Sequence, residues 1–134
     1  KPTYVGMTIL DLSKMFMYNF HYNKMMVKYG GGERAKLLLT DTDSLVYLVQ
    51  TSDVYRDMMN DLASYDTSDY PSDHPAYSSV NAKRLGCMKD EYNSKPIAQF
   101  VGLRPKMYSI LGADGAEKKR AKGVPTCTTA RMRH

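Results

Sequence analysis

Apolar and polar positions follow a helical spacing in the first 30 residues of the chain. From Thr8 onward, large apolar side chains recur at steps of three and four residues, which places them on one face of a helix. Thr8 followed by Asp11 is typical of a capping-box variant at a helix start, and the glycines at 30–32 are typical of a helix end. The pattern predicts one long helix of about 20 residues. Its apolar face would consist of Ile9, Leu12, Phe16, Phe20 and Val27.

Two apolar runs then flank a short polar segment. Residues 36–39 and 45–49 are rich in Leu, Val and Tyr, which favour strands, whereas residues 40–44 are all polar. Because the polar segment is where the chain can reverse, the pattern predicts an antiparallel β-hairpin with Asp41 and Asp43 at its tip.

A short helix and a long loop are predicted next. Asp53 is followed by apolar residues at helical spacing, which predicts a helix over 53–63 with Asp53 as its N-cap. Residues 66–79 show no period and predict a long surface loop. The carboxylates expected to be solvated in this loop are Asp66, Asp69 and Asp73.

The last part of the chain has the patterns of further short strands. Residues 83–91 and 102–111 each predict one strand, and Asp114 with Gly115 predicts a turn between the second of them and the basic segment that follows. A long helix, an antiparallel acidic hairpin and further short strands together predict an α+β fold.

Size and charge narrow the classes of function. The chain has 134 residues, which suits one domain or a piece of a larger one. Nineteen Lys and Arg against 14 Asp and Glu give a net charge of +5, which favours a polyanionic partner. No apolar run approaches the ~20 residues needed to cross a bilayer, so no membrane partner is predicted. Two cysteines, without zinc-ligand spacing to a histidine, predict a reducing intracellular compartment.

Asp41 and Asp43 have the most distinctive chemistry in the sequence. Two neighbouring carboxylates repel each other, so their position at a turn between apolar strands points to a cation, and their hard oxygen ligands suit Mg²⁺. A pair of solvated turn aspartates is the alternative. A calcium loop would need a glycine and a glutamate where the chain has Val46 and Ser52. The segment therefore favours metal-assisted phosphoryl transfer or a plain turn over calcium binding.

A second candidate site combines basic and aromatic side chains. Residues two apart in a strand share a face, so Lys106 and Tyr108 are expected to project together, where they would suit a nucleic-acid backbone. Alternating polar residues on an exposed strand give the same pattern by chance. A basic cluster further along is either a phosphate track or a solvated face. That cluster consists of Lys118, Lys119, Arg120 and Lys122.

These motifs in combination resemble the C-terminal palm region of family B DNA polymerases. The likeness rests on the acidic segment 40–44 and on the segment 103–108, with support from the helical segment 1–29 and the turn at 121–124. It is most similar to the protein-primed branch, which includes phage, linear-plasmid and adenovirus-like enzymes and the polymerases of Polinton or Maverick transposons. It covers nearly the whole chain, so residues 1–134 are expected to form a single partial palm domain, with the start of a thumb at 124–134.

The resemblance implies roles for particular residues. Asp43 matches the family's metal-binding carboxylate and Asp41 the neighbouring acid of the same catalytic site, which in that family serves two Mg²⁺ ions. Lys106 and Tyr108 match the pair that steadies the primer terminus. The partners implied are a DNA primer-template, an incoming dNTP and, in the protein-primed branch, a terminal protein. The other residues expected to contact DNA are Arg104, Lys119 and Lys122.

Departures from the family pattern change what is expected of this chain by itself. Leu39 and Thr40 stand where an aromatic residue and a small or variable one usually precede the first aspartate. The family's other metal-binding aspartate, and the helix that contacts the incoming nucleotide, have no counterpart in residues 1–134. The chain is therefore expected to be catalytically incomplete alone, and a non-catalytic nucleic-acid-binding module is the alternative function.

Overall fold

The computed structural model describes residues 2–131, and its mixture of helices and strands confirms the predicted α+β class. Contacts divide the chain into two compact units, Lys1–Ser52 and Asp53–His134. The assignment of the chain to a single partial palm domain stays a prediction.

None of the helices within residues 2–131 has the length and apolar character needed to cross a membrane. The elements of the first unit are α1 (Thr3–Asn19), a π-helical segment (Phe20–Met25), α2 (Met26–Lys28), β1 (Ala35–Asp41) and β2 (Ser44–Val49).

The predicted long helix forms, but it begins earlier than the sequence pattern indicates, at Thr3. Pro2 precedes it, and proline suits a helix start because the first turn has no intrahelical acceptor for its backbone N–H groups. The Thr8 hydroxyl donates to the Tyr4 carbonyl oxygen at 2.9 Å, so Thr8 lies inside the helix. The predicted start at Thr8 is therefore wrong. Helical backbone continues through the π-helical segment to Lys28.

The core of the first unit lies between the end of this helical stretch and the hairpin. Met25 and Tyr29 are buried against Ala35 of β1, and Tyr47 and Val49 of β2 pack on the same cluster. Because strand side chains alternate between two faces, this contact directs one face of the hairpin toward the helix. The predicted antiparallel hairpin is confirmed.

The first half of α1 is exposed although it is mostly apolar. Residues 3–16 are exposed throughout, and Tyr4 and Ile9 keep 73% and 60% of their surface accessible. Of the apolar face predicted for this helix, only Phe20 packs on the core cluster. A helix with apolar side chains on most of its circumference is typical of a buried position.

The second unit begins with α3, whose predicted cap is confirmed. The Asp53 carboxylate accepts hydrogen bonds from the backbone N–H groups of Tyr55 (3.0 Å) and Arg56 (3.1 Å). The helix ends at Met59 rather than at the predicted residue 63, and a 3₁₀ turn follows. The elements of this unit are α3 (Val54–Met59), the 3₁₀ turn (Leu62–Ser64), β3 (Tyr65–Asp66), β4 (Met88–Lys89), β5 (Ile97–Arg104), β6 (Met107–Gly112), β7 (Glu117–Ala121) and α4 (Thr126–Arg131).

The strand predicted over 83–91 is reduced to two residues. Only β4 is extended there, and it pairs in parallel with β3, while most of the residues between the two strands form turns and irregular backbone. The loop predicted over 66–79 is therefore confirmed from residue 67 on and is longer than expected. Helix α4 lies within the segment predicted to start a thumb, and residues 132–134 of that segment lie outside the described residues.

The loop is organised around Asp66, which the sequence pattern placed in solvent. Asp66 is only 5% exposed. Its carboxylate accepts hydrogen bonds from the backbone N–H (3.0 Å) and hydroxyl (2.7 Å) of Ser68 and from the backbone N–H of Lys83 (2.9 Å). Asp69 in turn forms an ion pair with Lys89. The prediction of a solvated Asp66 is wrong because the carboxylate satisfies backbone donors that the loop would otherwise bury unpaired.

We expect acid to loosen this loop through Asp66. The hydrogen bonds that its carboxylate accepts, that of the Ser68 hydroxyl above all, lower the pKa of Asp66 below 3.8. A carboxyl group with a lowered pKa in the folded state contributes stability above its unfolded pKa, and this stability is lost as the pH falls through the folded pKa. Asp66→Asn should therefore lower the free energy of unfolding by about 1–3 kcal/mol at neutral pH. It should also flatten the loss of stability below about pH 4, as measured by chemical denaturation.

The matched control for this variant is Asp73→Asn, because Asp73 is an exposed carboxylate in the same loop. It should leave both the stability and its pH dependence unchanged. Identical pH profiles for Asp66→Asn and the unmodified protein would contradict the assignment.

The residues predicted as one strand, 102–111, form a hairpin instead. Strands β5 and β6 run antiparallel and are joined at Pro105 and Lys106, and β7 pairs with β6 to complete a sheet of order β5-β6-β7. Pro105 pre-sets the first turn position, and Lys106 has a φ of +61°, which reverses the chain. The turn predicted at Asp114 and Gly115 is confirmed and leads into β7.

Candidate functional site

Asp41 and Asp43 lie at the tip of the hairpin in the first unit. Asp41 pairs with Ser44 across the strands, so Thr42 and Asp43 form the loop. The backbone N–H of Asp43 donates to the Asp41 carbonyl oxygen at 2.7 Å, and the Ser44 hydroxyl donates to the same oxygen at 3.0 Å. These bonds close a tight reversal of the backbone, with Asp41 at its start and Asp43 within it.

The backbone of this turn is strained at Thr42, whose φ is +56°. Hairpin turns with a positive φ at the first loop position normally have glycine there. A β-branched residue in this conformation is a conformational outlier. Strain of this kind clusters at functional sites, where the surrounding structure supports it.

The two carboxylates differ in their surroundings. Asp41 is half-buried and lies on the same face of the hairpin as Leu39, and its Oδ1 accepts a long hydrogen bond (3.4 Å) from the Thr42 hydroxyl. Asp43 is exposed in the turn. Magnesium ions in proteins are commonly held by one or two carboxylates and complete their shell with water and substrate phosphates. Asp41 and Asp43 have the type of side chain that such a shell uses. Within residues 2–131, no group of three or more His, Cys, Asp or Glu side chains suits a metal ion.

A hydrogen bond that the sequence pattern did not indicate ties this hairpin to the helix. His21, in the π-helical segment, lies with its Nδ1 2.8 Å from the Tyr47 hydroxyl oxygen, and the two rings stack with an interplanar angle of 19°. Burial raises the pKa of Tyr47 to about 12, so its hydroxyl stays protonated at neutral pH. A bulge at Leu38 in the opposite strand re-aims the residues that lead to Asp41. Nothing local in the sequence indicates the His21 contact, because its partner lies on a different element.

Lys106 and Tyr108 lie in the second unit, at the turn between β5 and β6. The expectation that they share a strand face is wrong, because Lys106 is in the turn and only Tyr108 is in a strand. Lys106 adopts a left-handed φ of +61°, where glycine or asparagine would be expected. Both candidate turns thus hold a non-glycine residue in a backbone conformation that costs free energy.

Strand pairing adds residues to this second site. Tyr108 lies directly opposite Gly102 on β5 and Arg120 on β7, so these three residues form one row across a face of the sheet. The backbone N–H of Lys122 donates to the Lys106 carbonyl oxygen at 3.0 Å, which joins the turn after β7 to the turn after β5. We name the surface made by Phe100, Gly102, Lys106, Tyr108, Arg120 and Lys122 the basic-aromatic end of the sheet.

Two residues predicted to contact DNA lie on the opposite face. Arg104 pairs with Met107, and Lys119 pairs with Ser109. Met107 and Ser109 stand on either side of Tyr108 in β6, so they and their partners face the side of the sheet opposite to Tyr108. The ammonium group of Lys119 forms an ion pair with Glu117 at 2.6 Å, and its side chain is only 15% exposed. Charge on that face is therefore partly neutralised.

The rest of the predicted basic cluster is also divided by the strand alternation. Lys118 shares the face of Tyr108, but it donates to the Glu91 carboxylate at 3.2 Å and lies 5.9 Å from the centre of the Tyr92 ring. Arg120 on the same face is exposed. Lys118 and Lys119 are both partly buried, which leaves Arg120 as the most accessible cation of β7.

Neither protein-family models, nor curated proteins, nor solved structures contain a match to this chain.

Proposed function

We propose that this chain is the C-terminal part of the palm of a family B DNA polymerase, of the protein-primed or Polinton-like branch, and takes part in template-directed addition of dNTPs. The observation that carries this proposal is the acidic turn: Asp41 ends β1 and Asp43 lies in the two-residue loop that follows, in a hairpin that the His21–Tyr47 contact ties to the helix. Two carboxylates so close in the chain repel each other, and a cation bound at the turn would offset this repulsion.

In this proposal the protein mainly positions and neutralises the reacting groups. Two Mg²⁺ ions, when bound, would activate the primer 3′ hydroxyl and stabilise the departing pyrophosphate. Asp43 would hold a metal ion directly, and Asp41 would complete the acidic site. Lys106 and Tyr108 would steady the primer terminus, the first through its charge and the second through its ring and hydroxyl.

The exposed half of α1 supports the view that this chain works within a larger assembly. Its apolar side chains, Tyr4 and Ile9 among them, are accessible although such a helix is typical of a protein interior. In the proposal, this helix packs against the remainder of the polymerase, which also supplies the upstream metal-binding aspartate.

The test is primer extension by a protein that joins this chain to the segment encoded upstream of Lys1. Extension should require Mg²⁺ and a template, and it should depend on Asp43. The upstream segment should contain a further metal-binding aspartate and a lysine-bearing helix. Extension that does not depend on the acidic turn would overturn the proposal.

A non-catalytic nucleic-acid-binding module is the second candidate, and the basic-aromatic end of the sheet favours it. This surface combines cations with an aromatic ring and requires no chemistry. Binding by such a module should weaken with added salt and be indifferent to Mg²⁺.

Lys106→Gly separates the binding role of Lys106 from its structural cost. Glycine relieves the left-handed strain, worth about 1–2 kcal/mol, but makes the unfolded chain more flexible, so the protein should gain about 0.5–1 kcal/mol of stability. The same variant should weaken binding of an oligonucleotide and reduce the slope of log affinity against log salt by about 0.7–0.9. Thermal denaturation and salt titration measure the two effects. Lower stability, or an unchanged salt slope, would contradict the assignment.

The matched control is Lys83→Gly, because Lys83 also has a positive φ, of 58°. Lys36→Gly would not serve as a control, because Lys36 lies within a strand.

A further inference from the structure

Two aromatic rings lie side by side at the basic-aromatic end of the sheet. Phe100 and Tyr108 have ring centroids 6.5 Å apart and an interplanar angle of 25°. Phe100 pairs with Ile110 and Tyr108 with Gly102, so the two rings are diagonal neighbours on one face. Both side chains are partly exposed.

Gly102 creates the space in which the Phe100 ring lies. A Cβ atom at position 102 would come within 2.9 Å of the Cε1 and Cζ atoms of that ring. The absence of a side chain therefore lets the ring lean across the strand toward Tyr108. Gly102 itself is exposed, so no side chain of its own separates the Phe100 ring from solvent at this position.

Positive charge borders the two aromatic rings. Arg120 lies directly opposite Tyr108 and is exposed, and the turns that contain Lys106 and Lys122 meet at the same end of the sheet. The acidic residue of β7, Glu117, pairs with Leu111 and therefore lies on the other face. On the Tyr108 face, the Glu91 carboxylate is paired with Lys118. The surface thus offers aromatic rings and cations together.

The geometry points to a stacking site for an unpaired base of single-stranded DNA, with the base against Phe100 and Tyr108 and the neighbouring phosphates beside Arg120. This inference rests on the nucleic-acid binding in the proposed function and adds a subsite that contacts the flat face of a base. Aromatic side chains bind single strands in this way because every base has a π-face, whereas cations track the backbone. A duplex hides those faces by stacking, so an unpaired base fits this surface best.

Removing the Phe100 ring should weaken binding without changing its electrostatics. In the full chain, Phe100→Leu should lower the affinity for oligo(dT) by about 5- to 150-fold, the range for loss of one base stack. The slope of log affinity against log salt should stay unchanged, because no cation is removed. Arg120→Gln should instead reduce that slope by about 0.7. Fluorescence anisotropy of labelled oligonucleotides measures both quantities.

An oligonucleotide of abasic sites is the decisive probe. It keeps the phosphates and lacks the bases, so Phe100→Leu should not change its affinity. The matched control is Val101→Ala, because Val101 is the next residue on β5, is 47% exposed and faces the opposite side of the sheet. This variant should bind both oligonucleotides as the unmodified protein does.

A tryptophan substitution tests the site even if Phe100→Leu does not fold. The chain contains no tryptophan, so Phe100→Trp introduces a single fluorophore at the proposed site. Oligo(dT) should quench its emission, and the abasic oligonucleotide should not. Equal quenching by the two probes, or equal effects of Phe100→Leu on them, would overturn the stacking site while leaving nucleic-acid binding in place. Failure to bind either probe would overturn the binding function together with the stacking site.

Discussion

Asp43→Ala is expected to lower Mg²⁺-dependent primer extension by about 1000-fold or more in the protein that joins this chain to its upstream segment. Loss of a metal-binding carboxylate removes several kcal/mol of stabilisation from the charge that develops on the transferring phosphoryl group. Each 1.36 kcal/mol corresponds to about a tenfold change in rate, so a loss of about 4 kcal/mol gives this magnitude. Binding of oligonucleotides in the absence of Mg²⁺ should be unchanged, because the site on the sheet is intact. Single-turnover extension measures the rate.

Two further variants define the specificity of this result. Asp73→Ala removes an exposed carboxylate from the loop of the second unit and should leave the rate unchanged. Thr42→Gly relieves the positive φ in the acidic turn and should preserve extension, because it removes no ligand. Extension that survives Asp43→Ala would show that the acidic hairpin is not the catalytic site.

Tyr70→Ala is expected to destabilise the second unit by about 3–5 kcal/mol, the cost of truncating a large buried aromatic residue. Tyr70 is 4% exposed and forms edge-to-face contacts with Tyr55 and His74, whose ring centroids lie 6.0 Å and 5.0 Å away. Its hydroxyl donates to the Asp90 carboxylate at 2.9 Å. Chemical denaturation measures the loss, and hydrogen exchange should show the increased opening in residues 53–131.

Matched substitutions separate the ring of Tyr70 from its hydroxyl. Tyr70→Phe removes only the hydrogen bond and should cost about 0.5–1.5 kcal/mol, because Asp90 still accepts from the backbone N–H groups of Tyr92 and Ser94. Tyr77→Ala truncates a tyrosine that is 42% exposed and should change stability by only about 0.5 kcal/mol. Similar losses for Tyr70→Ala and Tyr77→Ala would contradict the placement of Tyr70 in the core.

Predictions made from local patterns succeeded where the determining residues are neighbours. The acidic hairpin has apolar runs on both sides of a polar break, and Asp53 caps the backbone N–H groups just after it, so both features depend only on adjacent residues. The hairpin at Pro105 and Lys106 was missed because its second loop residue is a lysine rather than glycine or asparagine. Pro105 was the one available signal, since proline favours the first loop position of such turns.

The position of the helix start and the solvation of Asp66 depended on contacts that local patterns do not contain. Thr8 has a side chain that suits a helix cap, but the helix begins earlier, at Thr3. The Thr8 hydroxyl therefore bonds within the helix, to the Tyr4 carbonyl oxygen. Asp66 has the composition of a loop residue, but the chain folds back to bring the Lys83 backbone to its carboxylate. Each outcome depends on a partner that the spacing of residues does not specify.

The sequence by itself determined the α+β class, the long helix, the acidic hairpin and the chemical types of the candidate site residues, because propensity, alternation and turn chemistry act over a few residues. Tertiary structure alone decided which of those residues share a surface. Strand register placed Arg120 beside Tyr108 and directed Lys119 to the opposite face, and the meeting of two turns brought Lys122 to Lys106. A shift of register by one residue moves every side chain of a strand to the other face, so these neighbours depend on how distant segments pair.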